Sequence, residues 1–159
     1  MPHFKQRFRV KANLAETWKL HDDPIALKFL TPPPLRVKIL AKDDPLAKGG
    51  TLKFRLFLFG PLGATWHAIY DEFNPYQPGM KQCSFVDRSL SSPFAYWVHR
   101  HTFDENSDGT ATVTDDVTFR LVENGPLAPI LNAISYPAIV FLFAYRQFQT
   151  RRVLARAAK

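Results

Sequence analysis

From Leu35 to Leu121 the chain alternates apolar and polar residues with a period of two, and the segment that follows abandons that period altogether. "LRVKIL" sets Leu35, Val37 and Ile39 on one face, and "TLKFRLFLF" sets Leu52, Phe54, Leu56 and Leu58 opposite Lys53 and Arg55. The turn "GPLG" leads into "ATWHAIYDEF", Pro75 and Pro78 interrupt before "KQCSFVD", and "FAYWVHRHTF" is joined to "TATVTDDVTFRL" by the polar turn "DENSDG". Strands separated by such short connections pair as antiparallel neighbours, because parallel pairing needs a long crossover. Six strands in hairpin order therefore predict a meander with one apolar face.

Upstream, "HFKQRFRV" reads as a first strand. Asn13, with Glu16 three residues later, has the pattern of a capping box opening a short helix through Trp18. Asp23 caps a second short helix with Pro24 at its first position, and Pro32-Pro33-Pro34 ends it. Downstream of Gly125-Pro126, the apolar positions Leu127, Leu131, Ile134, Ala138, Phe141, Tyr145 and Phe148 follow helical spacing. Pro137 is expected to kink or restart this helix, with Ser135 capping its second part.

No charge occurs between Glu123 and Arg146, and the stretch is long enough to cross a bilayer. Against a span stand Asn132, Ser135 and the prolines Pro126, Pro129 and Pro137. A sheet with one apolar face also needs a cover, and a long apolar helix supplies it. The expectation is a buried cover helix within a single domain spanning 1–159, long enough to bury a continuous core.

The single cysteine, Cys83, cannot form an intramolecular disulfide, and "MPHFKQRFRVKAN" holds no apolar block of a secretory signal. A cytoplasmic protein is expected. The net charge of +7 draws on the end of the chain, where Arg146, Arg151, Arg152, Arg156 and Lys159 occur without an acid. They read as a solvated helix end suited to the C-terminal dipole, with peripheral contact to an anionic membrane as the alternative. The basic residues elsewhere are scattered and form no nucleic-acid module.

The chemistry concentrates in "PFAYWVHRHTF". Alternation puts Trp97, His99, His101 and Phe103 on one face and Arg100 on the other, and the arginine is the costlier group to bury. Asp115 falls in the apolar row Ala111, Val113, Val117, Phe119, and Asp87 shares a face with Cys83 and Phe85. Asp87, His99, His101 and Asp115 are thus expected to project into one concave, mainly apolar space. A buried carboxylate demands a partner, and a histidine is the obvious one. Four uses remain open: an Asp–His network that only fixes the strands, polar anchors for a ligand's head group, metal ligation, and general acid–base catalysis. The chain carries no nucleophile motif, phosphate loop or paired-cysteine spacing, so binding is expected ahead of turnover.

The element order is similar to the helix-grip fold of the START and birch-pollen-allergen superfamily, SRPBCC. More specifically, "TPP" at Thr31–Pro33, Phe85 with Asp87, "PFAYWVHRHTF", and Gly109 to Phe119 resemble the motif series of a bacterial ligand-binding SRPBCC group. One departure is Ser92, where that pattern has glycine before the Pro-Phe pair. The resemblance implies an α+β fold with a curved antiparallel sheet of about seven strands around a long C-terminal helix. It also implies a cavity for a hydrophobic or amphipathic small molecule such as a lipid, quinone or polyketide-like compound, with no metal or cofactor. The expected ligand-binding residues are Phe54, Trp66, Phe85, Asp87, Trp97, His99, His101, Asp115, Phe119, Phe141 and Tyr145. The alternative is a cyclase, dehydratase or hydrolase using a His–Asp pair in the same cavity.

Overall fold

The computed structural model describes residues 1–157. Its elements run β1 (His3–Val10), α1 (Leu14–Asp22), a 3-10 turn (Pro24–Ala26), α2 (Leu27–Leu30), β2 (Arg36–Lys42), β3 (Thr51–Phe59), β4 (Leu62–Asn74), β5 (Gln82–Ser91), β6 (Tyr96–Glu105), β7 (Ala111–Arg120) and α3 (Ala128–Ala157). The strands form one seven-stranded antiparallel sheet in the order β1-β7-β6-β5-β4-β3-β2. The meander is therefore as expected, and β1 closes it by pairing with β7, His3 opposite Thr118 and Val10 opposite Ala111. Register shifts at Ile39/Ala41 and Tyr70/Glu72 are bulge-like irregularities of the kind that bend a sheet into a grip.

The first crossover seats itself through capping and one aromatic. Asn13 Oδ1 accepts from Glu16 N at 2.8 Å, and Asn13 N donates to Glu16 Oε2 at 3.3 Å, which completes the capping box. Asp23 Oδ1 accepts from Ile25 N at 2.9 Å ahead of Pro24. Trp18 then meets Phe73, Phe85 and Phe103 edge-on, with centroids 5.5 to 5.9 Å apart, so α1 lies across the concave face.

Helix α3 departs from expectation in two ways. It runs without a break through Pro137, and Ser135 is no cap: its hydroxyl donates back to the Asn132 carbonyl at 2.7 Å. Asn132 instead anchors the entry to the helix, its Oδ1 accepting from Leu121 N and Val122 N at 2.7 and 3.0 Å. The second departure is the face that packs. Ser135, Ile139, Phe143, Thr150 and Leu154 are buried, whereas Leu127, Ile134, Phe141 and Phe148 are 60 to 65% exposed. Only 17% of the helix's most apolar stretch is buried, although its length and composition would cross a membrane. A helix that is apolar all round carries no stripe to say which side faces the sheet, so spacing alone selected the wrong one. Of the basic end, Lys159 lies outside the described residues.

Candidate functional site

Strand register assembles the polar cluster. Asp87 of β5 stands opposite His99 of β6, and His101 stands opposite Asp115 of β7, with Phe85 across from His101 on the other side. The two histidines, two residues apart on one face, bring their ring centroids to 3.7 Å. His99 Nε2 lies 3.2 Å from Asp115 Oδ1, and His101 Nδ1 lies 3.1 Å from the same oxygen but off the line of a well-formed hydrogen bond. On the far side of the rings, Asp87 Oδ2 is 3.7 Å from both His99 Nδ1 and His101 Nε2. Gln6 of β1 completes the group by donating to Asp115 Oδ2 at 2.9 Å and to the Phe143 carbonyl at 3.2 Å.

His99, at 2% exposure, and Asp115 are buried, and Asp87 and His101 are mostly covered, so each charge answers more to its neighbours than to water. Burial alone would raise the Asp115 pKa, but the His101 and His99 imidazoles hold it well below the usual carboxylate range. Asp87 is lowered in the same way: burial opposes ionisation and the two imidazoles outweigh it. The histidines part company. Burial and the neighbouring His101 lower His99, while His101, despite its own burial, is raised by Asp115 and Asp87.

Besides Gln6, two residues of this site escaped the sequence reading. His21 of α1 donates from Nδ1 to the Thr17 carbonyl at 2.8 Å, which leaves Nε2 as an acceptor. Its ring centroid is 4.7 Å from Phe103 and 6.1 Å from His101, and burial, then His101, pushes its pKa down to about 4. Arg146, read from sequence as part of a solvated basic end, instead lines the same space as the cluster. Its guanidinium carbon is 5.1 Å from the Phe143 ring centroid, and its Nε is buried without a hydrogen-bond partner among the described residues. The signal that could have found it is its helical spacing from Ile139, Phe143 and Thr150, which are buried, as the first charge after the long neutral stretch.

Between the sheet, the short helices and α3 lies a cavity of about 440 Å³. Its lining holds Phe54, Trp66, Phe85, Trp97 and Phe141 with Asp87, His99, His101 and Asp115, nine of the eleven residues expected there. The other two are placed elsewhere. Phe119 is fully buried in the packing of Phe94, Trp97 and Tyr136, and Tyr145 accepts a hydrogen bond from Gln149 Nε2 at 2.7 Å; neither lines the cavity. The aromatic wall is continuous: Phe54 stacks on Trp66 at 5.9 Å, Trp66 meets Trp97 edge-on at 5.1 Å, and Phe85 stacks on His101 at 4.2 Å. Leu58 and Phe141 belong both to the lining and to the surface, which puts them at the rim.

No protein-family model and no curated protein matches the chain. Solved structures do. A protein from Chromobacterium violaceum aligns at 19% identity over 97% of this chain and 98% of its own, with a TM-score of 0.66. One from Thermus thermophilus aligns at 13% identity over 99% of both chains, with a TM-score of 0.64. A START superfamily protein from Mycobacterium smegmatis aligns at 12% identity over 95% of this chain and 98% of its own, with a TM-score of 0.62. At these identities the likeness is one of fold.

Proposed function

We propose that this chain, whose fold is the START-type helix grip, binds an amphipathic small molecule between the sheet and α3. The observation that carries the reading is a cavity of about 440 Å³ whose walls are mainly aromatic and aliphatic while a few polar groups converge on it from β5, β6, β7, α1 and α3. That combination suits a ligand with a greasy body and one polar end. Removing about 200 Å² of apolar ligand surface from water contributes roughly 5 kcal/mol, and the polar groups then decide which head is accepted. Arg146, with its unmet donor, favours an anionic oxygen over an amine.

A native mass spectrum of the protein purified without detergent tests the reading. Retained mass that organic extraction releases, and that Arg146→Gln diminishes, is the expected result. Protein that stays at its bare mass after incubation with fatty acids, quinones and aromatic polyketides would count against it.

Imidazole–carboxylate contacts inside a ligand-sized cavity also support a second reading, an enzyme of cyclase, dehydratase or hydrolase type in which the cluster moves a proton. The double variant His99→Asn, His101→Asn separates the two. An enzyme loses turnover while retention of an apolar ligand survives.

The exposed apolar residues of α3 support a further element of the binding role, contact with an anionic membrane from which the ligand would be drawn. Ile134, Phe141 and Phe148, with Leu127 just ahead of the helix, offer the apolar surface, and Arg151, Arg152 and Arg156 follow on α3.

A further inference from the structure

We infer that Asp87, His99 and His101 form a binding site for one divalent first-row transition metal in the cavity wall. One donor atom from each residue lies within 4.8 Å of the others. Asp87 Oδ2 is 3.7 Å from His99 Nδ1 and 3.7 Å from His101 Nε2. That separation is too long for a hydrogen bond, so Asp87 is not simply a hydrogen-bond acceptor for the rings. It is close to the spacing of two donors that share an ion: ligands about 2.1 Å from a metal sit roughly 3 to 3.6 Å from each other. A contraction of a few tenths of an ångström converts the group into a coordination sphere.

The opposite edges of both rings support the same assignment. His99 Nε2 and His101 Nδ1 stand 3.2 and 3.1 Å from Asp115 Oδ1. With its proton held by Asp115, His99 turns the Nδ1 lone pair toward Asp87, and a bound ion takes the place of any proton at His101 Nε2 on the same side. A carboxylate behind a ligating imidazole fixes its tautomer and increases its basicity, the usual support of a protein-bound metal. Asp115 is itself fixed, through Oδ2, by Gln6 at 2.9 Å. All three donors ride on β5 and β6, neighbouring inner strands of the sheet, so register rather than a loop sets their geometry.

Two imidazoles and one carboxylate suit zinc, iron or cobalt better than magnesium or calcium. The two carboxylates balance the ion's charge. Three protein donors leave coordination positions available, and Arg146 lines the same cavity, so the group that completes the sphere is an anionic oxygen donor. The resemblance read from the sequence implied no metal; the site is inferred from the donor geometry on β5 and β6.

Titration of untagged, chelator-stripped protein with Co²⁺, followed by visible absorption and competition with Zn²⁺, tests the site. The expected result is one equivalent bound with micromolar or tighter affinity and d–d bands that Zn²⁺ abolishes. Asp87→Asn and His101→Gln should each weaken binding at least a hundredfold, and Asp115→Asn about 10- to 100-fold. His3→Gln, at the exposed His3–Asp116 pair, should leave it unchanged. Affinity weaker than micromolar, or affinity that Asp87→Asn and His101→Gln leave intact, overturns the inference. Should His101→Gln fail to fold, the near-isosteric Asp87→Asn carries the test alone. Retention of an organic ligand by the stripped protein is read separately, so failure here leaves the binding role standing.

Discussion

At the scale of the residue, His21 makes the pH behaviour of the fold testable. Its folded pKa is about 4 against 6.5 when unperturbed, so between those values the unfolded chain binds the proton and the folded chain does not. Stability contributed by this group is complete above about pH 6.5 and falls as the pH drops toward 4, by up to about 3 kcal/mol. Urea melts at pH 7, 5.5 and 4.5 should show this decline, and His21→Gln should flatten it. A His21→Gln protein with the wild-type pH slope would sink the assignment. Reading single residues from the sequence worked where alternation constrained them: Asp87, His99, His101 and Asp115 all face inward because strands repeat every two residues. It missed His21 and Arg146 because a helical side chain's direction depends on how the whole helix is rolled against its neighbour. It misplaced Phe119 and Tyr145 because facing inward does not distinguish lining a cavity from filling the core.

At the scale of the element, α3 is the part whose energetics the fold redefines. Phe143, fully buried against Phe4 and His99, should cost about 3 to 5 kcal/mol when cut to alanine. Ile134→Lys, at a side chain 65% exposed, should stay within about 0.5 kcal/mol. Chemical denaturation of both variants checks the contrast; equal losses would mean that the helix packs by another face. If α3 also meets a membrane, Ile134→Lys with Phe141→Lys should reduce sedimentation with anionic vesicles several-fold at low salt without lowering the melting temperature. The same element marks where sequence patterning fails. Leucine, isoleucine and phenylalanine surround the helix, so hydrophobic spacing has no polar side to be measured against, and Pro137 is carried within a helix that the remaining hydrogen bonds hold continuous.

At the scale of the whole molecule, the cavity couples ligand to stability. A ligand that binds only the folded chain adds about 2.7 kcal/mol at a hundredfold excess over its Kd, or roughly 5 to 10 °C in melting temperature for a domain of this size. Thermal shift across a panel of fatty acids, quinones and polyketides should single out anionic members, and the Arg146→Gln variant should lose that preference while keeping its response to apolar bodies. Uniform response to charged and neutral members would remove the role given to Arg146. The sequence by itself determined the α+β helix-grip order, the antiparallel meander, the capped crossover and the inward cluster on β5 to β7, because period-two alternation, turn residues and caps act over a few neighbouring positions. Only the tertiary structure decided which side of α3 is covered, that Arg146 enters the cavity, and that two carboxylates grip two imidazoles from opposite edges. Those outcomes depend on contacts between residues far apart in the chain, such as Gln6 with Asp115 and Phe143, and no local pattern encodes the roll of one packed element against another.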